Sequence, residues 1–384
     1  MFKELFDLVQ DLYPGKSPIP LHEPLLNGNE KKYLNLCIDS GYVSSVGEFV
    51  NRFEKEISNF TGSKNAIAVV NGTQALHLAL YTLGIGPGKA VLAPSLTFVA
   101  TINSIYHNGA SPIFLDIEDE TLGICPDKAR AFIQNECFSL GGELKHKASG
   151  LTIAAIMPTH VFGHASRIKE LSKLADDYAL HLIEDAAEGV GSLTNQKHLG
   201  TFGTLGVLSF NGNKTLTTGG GGIVLTEHNS IAQQLKHLST TARVQSGYEL
   251  EHDMPGFNYR MPNLNAALGM AQLENLPNFL YKKRSLALNY QQLQIPHSKW
   301  LKEPKNNQSN YWLNAIKLDS VEVRNNLLND AHKKGILCRP IWKPIHNMTA
   351  YAKFPKDDLS TTENLSQRIV CLPSGLKGLN LKSF

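Results

Sequence analysis

The chain is poor in the features that would place it in a special class. It has only five cysteines in 384 residues, Cys37, Cys125, Cys137, Cys338 and Cys371, an odd number and never in C-x-x-C spacing. That argues against a disulfide framework and a structural zinc site, and it predicts reduced thiols in a cytoplasmic protein. Charge of one sign is scarce too: 37 Lys and Arg against 34 Asp and Glu leave a net +3. Nucleic-acid binders normally concentrate basic residues on one face, so no such partner is expected. No apolar run approaches the roughly 20 residues needed to span a bilayer, and no membrane partner is expected either. Internal repeats and low-complexity tracts are absent. What remains, 42% hydrophobic and 18% charged residues, is the composition of an ordinary globular protein. Its length favours two domains.

The opening "MFKELFDLVQDLYPG" alternates charged and apolar residues at helical spacing. It has no basic start, uninterrupted apolar middle or small-residue cleavage site, so an amphipathic helix packed on the body or on a partner subunit is expected. From about residue 60, short apolar runs alternate with helical patterns. "AIAVV" (66–70), "AVLAP" (90–94), "SPIFLDI" (111–117), "LTIAAIMP" (151–158) and "HLIED" (181–185) read as strands, and "GTQALHLALYTLG" and "RIKELSKLADDYAL" as helices between them. This is an α/β pattern, a mostly parallel sheet covered by helices. Residues 136–150 read as a polar surface insertion, and residues 225–262 as polar and irregular. A long helix over 263–293 then leads into shorter strand-like and helical pieces. The expected division is a large domain over 1–250 and a smaller α+β domain over 251–384.

In a sheet of this kind, ligands gather beyond the carboxyl ends of the strands. Three stretches fall there. In "VVNGTQAL" (69–76) a strand ends, Asn-Gly-Thr turns, and a helix begins, exposing unpaired N–H groups to an anion. Gly72 permits close approach and Thr73 adds a hydroxyl, although on this stretch alone a plain helix cap is the more usual role of such a threonine. In "HLIEDAAEG" (181–189), Glu184 and Asp185 project to opposite sides of a strand end. A carboxylate there needs a cationic or protonated partner, or else caps the next turn. Glu188 lies one turn on.

The third stretch is "SFNGNKTLTTGGGG" (209–222). A phosphate-binding P-loop requires G-x-x-x-x-G-K-[ST]. Here Gly206 and Gly212 are separated by five residues, and Asn213 intervenes before Lys214. "LTTGGGG" cannot continue as a helix either. What survives is a lysine on a tight turn after the strand "GVLSF" (206–210), with Ser209 and Asn211 beside it. Lysine, aspartate and anion site together are what pyridoxal 5'-phosphate requires. The amine forms a Schiff base, the Asp keeps the pyridine nitrogen protonated, and the helix end holds the phosphate. Phe98, in "PSLTFVAT" (94–101), can wall the ring.

In these residues the chain resembles the pyridoxal-phosphate-dependent nucleotide-sugar aminotransferases of the DegT/DnrJ/EryC1/StrS type. The matching motifs run in order along nearly the whole chain. They begin with "GEFVNRFEKEISNFTGSKNAIAVVNGTQAL", "PSLTFVATINSI" and "IEDAAEGVGS", continue through "GVLSFNGNKTLTTGGGG" and "GFNYRMPNLNAALG", and end with "GILCRPIWKPIH" and "RIVCLPS". The resemblance implies the type I aminotransferase fold and makes Lys214 the lysine that binds the cofactor and shuttles the proton. It implies that Asp185 pairs with the pyridine nitrogen, Glu188 sits near the ring hydroxyl, and Phe98 stacks on the ring. Gly72, Thr73, Ser209 and Asn211 would surround the cofactor, with the phosphate held by Gly72, Thr73 and Ser209. Relatives often carry Gln or His where this chain has Glu188.

The resemblance further implies that Asn258, in "GFNYR", reaches the phosphate of a partner subunit, hence a homodimer with shared active sites. His346, His160, Tyr259 and Arg243 are its candidate substrate contacts, and no metal is expected. The implied reaction moves an amino group from L-glutamate to C4 of a nucleotide-linked 4-keto-6-deoxy sugar. "MPTHVFGHA", "SNYWLNAI" and "CRPIWKPIH" look closest to the branch acting on 2-acetamido-4-keto-2,4,6-trideoxyhexoses, the legionaminic-acid and bacillosamine type. A sugar dehydratase on the same scaffold is disfavoured, because dehydrating relatives carry His in place of Lys214. A non-catalytic regulator is disfavoured by the intact lysine and aspartate.

Overall fold

The computed structural model of the chain describes residues 1–246 and 248–381; of residues 245 and 246 only the backbone is described. Among the described residues the central sheet has nine strands. Its main path runs Asn65–Val69, Gly222–Thr226, Leu205–Ser209, His181–Asp185, Thr152–Ile156, Lys89–Pro94 and Ser111–Leu115. The six apolar runs read as strands all lie here, because burial on both faces demands near-continuous apolar sequence. Helices Gly72–Thr82, Val99–His107 and Ile168–Asp177 fill the connections.

One strand runs against the rest. Gly222–Thr226 pairs antiparallel with both Asn65–Val69 and Leu205–Ser209, while the other pairs of the main path are parallel. Inserting one reversed strand leaves Asn65–Val69 pointing the same way as Leu205–Ser209. The chain therefore leaves Val69, Pro94, Asp185 and Ser209 along a single sheet edge.

Two segments are more ordered than their polarity suggests. Residues 136–150 form a hairpin, Cys137–Leu140 with Glu143–His146, joined to the start of the interior strand Thr152–Ile156 through Lys145 and Thr152. Within 225–262 a helix, Asn229–Ser239, buries Ala232, Leu235 and Leu238, and Arg243–Ser246 pairs with Glu249–His252. The helix shows only a narrow apolar stripe among polar residues, so its signal is weak in one dimension.

A second core surrounds a four-stranded sheet of Ser298–Trp300, Asn314–Leu318, Ile369–Leu372 and Arg339–Pro340. Helix Asn263–Gln291 joins the two cores, burying Ala266, Ala267 and Met270 in one and Leu286 and Tyr290 in the other. Phe2, Leu5, Phe6, Val9 and Leu12 also pack into this second core. It therefore draws on both ends of the chain. An amphipathic helix at a terminus reveals its apolar face but not which core will cover it.

Candidate active site

The turn after Asn65–Val69 has the groups that could hold an anion. Asn71 caps helix Gly72–Thr82, its side-chain oxygen accepting the Gln74 N–H at 2.8 Å. The N–H groups of Gly72 and Thr73 belong to the first turn, which has no acceptors within the helix. A Cβ at Gly72 would stand 2.8 Å from Cβ and 2.9 Å from Oγ of Ser209. Glycine is thus required for the Ser209 hydroxyl to lie against the helix end. Gly222 is equally tight, since a Cβ there would come within 2.6 Å of the Asn71 carbonyl oxygen. Part of the glycine run after Lys214 therefore serves this close approach.

Asp185 ends its strand in full burial. The Thr101 hydroxyl donates to Oδ2 at 2.6 Å, and the Ala187 N–H to Oδ1 at 3.2 Å. Both donors are neutral, and burial pushes the carboxyl pKa above its usual range. A buried carboxylate with lone pairs to spare and no bonded cation fits a protonated ring nitrogen. Glu188 is also buried, and burial raises its pKa against the opposing pull of Lys214. Its Oε2 accepts the Phe162 N–H at 2.8 Å, and its Oε1 lies 3.3 Å from Lys214 Nζ. Phe162 reaches that bond from the left-handed region, φ 57°, an uncommon conformation for a bulky residue and one that clusters at functional sites.

Lys214 is held by its own turn, its N–H donating to the Asn211 carbonyl at 2.9 Å. Its side chain is only 11% exposed. Nζ stands 3.9 Å from the centroid of the Trp312 ring, so carboxylate and indole meet the amine together. Phe98, by contrast, is 54% exposed at the head of helix Val99–His107, where a flat ligand could cover it. Asn211 is exposed beside Lys214 and bonds Asn213 at 3.4 Å.

The expected substrate contacts stand in different surroundings. His160 is fully buried: Nε2 bonds Glu184 at 3.0 Å, and Nδ1 accepts the Ser166 N–H at 3.2 Å. It is an internal tie, with no nitrogen left for a sugar. His346 is likewise engaged, Nδ1 with the Ser95 hydroxyl and Nε2 with Glu363, each at 2.6 Å. It fastens residues 345–347 to the end of strand Lys89–Pro94. Tyr259 stacks on Phe257 at 4.8 Å, and its hydroxyl lies 3.4 Å from His77 Nδ1. Its carbonyl accepts the Val70 N–H at 2.9 Å, which ties it to the anion turn. Asn258 is exposed beside it and accepts from Arg260 Nε at 3.2 Å. Arg243 is exposed at the start of the Arg243–Ser246 strand.

Thr101, Asn310 and Trp312 went unassigned in the sequence, although "PSLTFVAT" and "SNYWLNAI" contain them. Thr101 sits two residues inside a helix, and only the fold brings it to Asp185. Nothing in the sequence pointed to His22, whose ring nitrogens are both buried without a hydrogen-bond partner among the described residues.

A lysine, two buried carboxylates and an anion turn, gathered on one edge of a mostly parallel sheet, are the groups that a pyridoxal-phosphate site on an aminotransferase fold calls for. The profile of the DegT/DnrJ/EryC1/StrS aminotransferase family matches residues 24–380, and the chain belongs to that family, whose members depend on pyridoxal phosphate. The chain is 39% identical over 360 residues to a GDP-perosamine synthase of Vibrio cholerae, covering 93% of this chain and 94% of that protein. A GDP-perosamine synthase of Escherichia coli O157:H7 is 36% identical over 357 residues, covering 93% of each. Among solved structures, a DegT DnrJ EryC1 StrS aminotransferase from Brucella abortus superposes with a TM-score of 0.83 at 28% identity, over 90% of each chain.

Proposed function

We propose that the protein transfers an amino group from L-glutamate to C4 of a nucleotide-linked 4-keto-6-deoxy sugar. The observation that carries this is Lys214 held beside Glu188 at 3.3 Å, on the sheet edge that also presents Asp185 and the anion turn. Bound pyridoxal phosphate would act as the carrier of the amino group and as the electron sink for the carbanion formed on transfer. The residues supply the rest. Gly72, Thr73 and Ser209 bind the phosphate, and Asp185 keeps a proton on the ring nitrogen. Glu188 orients the ring hydroxyl, and Phe98 covers one ring face. Lys214 Nζ would hold and move the proton exchanged during transfer, within reach of the bound cofactor and substrate.

The relatives named GDP-perosamine synthase, at 39% and 36% identity over 93% of the chain, favour a GDP-linked acceptor. The 2-acetamido-trideoxyhexose branch is not named among these relatives, so a GDP-linked acceptor takes precedence in this reading. We further propose a homodimer in which Asn258 reaches the partner's phosphate site. The exposed apolar residues Leu36, Ile38, Tyr42, Val43 and Val46 support a covered face, since a cluster of this kind is uncommon on a free surface. Four of the five free cysteines are buried, which suits the reducing cytoplasm.

The test is a panel of GDP-, UDP- and dTDP-linked 4-keto sugars, with glutamate-dependent formation of 2-oxoglutarate measured and the C4 configuration of the product read by NMR. Turnover with the GDP-linked sugar supports the reading. A deoxygenated product would mark a dehydratase, and no turnover of glutamate with any sugar would refute an aminotransferase.

A further inference from the structure

The segment Ser309–Trp312 leads into strand Asn314–Leu318 of the second core, yet Ser309, Asn310 and Trp312 each bond to the first. Asn310 is fully buried. Its Nδ2 donates to the carbonyls of Glu188 at 2.7 Å and Val190 at 2.8 Å. Its N–H donates to the Ser192 hydroxyl at 2.9 Å, and its Oδ1 accepts the Trp312 N–H at 2.8 Å. One amide thus joins the backbone of Glu188 to that of Trp312. The indole N–H donates in turn to the Asn213 carbonyl at 2.6 Å, one residue before Lys214.

A second device holds Trp312 from behind. Lys283, on helix Asn263–Gln291, is fully buried, and its amine donates to the carbonyls of Trp312 at 2.9 Å and Ser374 at 2.6 Å. Burying a lysine against neutral carbonyls is costly, and burial pulls its pKa well down. A methionine would fill the same space at less cost to stability but could not grip the Trp312 carbonyl. The result is an indole face fixed 3.9 Å from Lys214 Nζ, which also lies 3.3 Å from the Glu188 carboxylate.

We infer that Trp312, set by Asn310 and Lys283, positions Lys214: its ring face is the seat of the lysine amine whenever that amine is not bonded to the cofactor. This rests on Lys214 being the cofactor lysine. Aminotransfer frees the lysine in each half of its cycle, and an amine on a flexible four-carbon stem must then be kept in reach of the reacting carbon. An aromatic face attracts the ammonium through its quadrupole while leaving its hydrogens available to transfer. The second core therefore contributes directly to proton transfer at the first.

The test compares Trp312→Phe, Trp312→Leu and Lys283→Met. In cofactor-free protein, labelling of Lys214 by an amine reagent is measured by peptide mass spectrometry against exposed Lys31. In the holoenzyme, the single-turnover rate with glutamate and its KM are measured. Trp312→Leu is expected to raise Lys214 labelling about tenfold and slow the half-reaction about tenfold, a loss on the scale of one cation–π contact. KM should move less than about threefold, and Trp312→Phe should restore most of both effects, because it keeps a ring face. Lys283→Met is expected to shift both readouts in the direction of Trp312→Leu.

Equal impairment of the Phe and Leu variants would reduce Trp312 to packing and overturn the inference, as would wild-type labelling in the Leu variant. If Trp312→Leu does not fold, Lys283→Met carries the test, and wild-type labelling there overturns it. Failure of the underlying assignment looks different: the absorption band of the lysine-bound cofactor would survive Lys214→Ala.

Discussion

Glu184 and Asp185 are consecutive residues of one strand, both buried, and their surroundings differ in kind. Glu184 accepts the N–H groups of Gly200 at 2.8 Å, Phe202 at 2.6 Å and Gly203 at 2.8 Å, and bonds His160 at 3.0 Å. Its lone-pair capacity is filled, and what it does is shape the 200–203 loop. Asp185 has two neutral donors and Lys214 acting only through its field. Strand alternation sends the two carboxylates to opposite sides. One side is complete without a ligand, and the other is arranged for one. Burial alone does not separate a structural carboxylate from a functional one; the census of its partners does.

That contrast can be broken by experiment. Lys214→Ala is expected to remove turnover, by about a thousandfold or more, together with the absorption band of the bound cofactor. Survival of either would dismantle the ligand side of the comparison. Asp185→Asn should lower kcat by about a hundredfold or more, since it removes a buried charge aimed at the ring nitrogen. The same substitution should stabilise the cofactor-free protein at neutral pH. Burial raises the folded-state pKa of Asp185, so the folded chain holds this proton more tightly than the unfolded one. Stability present below the ordinary carboxylate range is then lost as pH rises through the folded value. Melting curves against pH should therefore show Asp185→Asn gaining on wild type above about pH 4, with the two converging below it. A lower melting temperature for the variant at pH 8 would contradict this.

Glu184→Gln should reverse the pattern. It leaves N–H groups of the 200–203 loop facing an amide, at a cost of about 1–3 kcal/mol in stability. The glutamate half-reaction of the folded enzyme should stay within about threefold of wild type. A large kinetic defect at unchanged stability would place Glu184 in the chemistry after all.

The smallest effect concerns His198. Its Nε2 accepts the Gly191 N–H at 2.8 Å, and burial lowers its pKa to about 4. A histidine kept neutral in the fold loses its contribution as the unfolded chain takes up protons, from about pH 6.5 downward. Wild type should lose stability between there and about pH 4, and His198→Gln should flatten that slope. An unchanged slope would show that other groups govern it.

The strands, the carboxylates at a strand end and the lysine turn were legible along the chain because each is a local signal. Apolar runs report burial on both faces, Asn-Gly-Thr before a helix pattern reports a turn, and glycines beside Lys214 report close approach. The reversed strand Gly222–Thr226 was not legible, because strand direction depends on a partner rather than on the residues themselves. Neither were the roles of Thr101, Asn310 and Trp312, which act across 84, 122 and 98 positions of chain to reach Asp185, Glu188 and Lys214. His160 and His346 mark the opposite limit. A histidine in a motif has the same appearance in sequence whether its nitrogens face a substrate or, as here, Glu184 and Ser95.

"SFNGNKTLTTGGGG" by itself determined that a lysine would stand on a tight turn and that no P-loop could form there. Only the tertiary structure decided what that lysine meets: the Glu188 carboxylate from the turn after the neighbouring strand and an indole held by the second core. The reason is physical. Backbone geometry follows from residue types close in sequence, whereas the environment of a charged atom is set by whichever distant groups packing brings within a few ångströms of it.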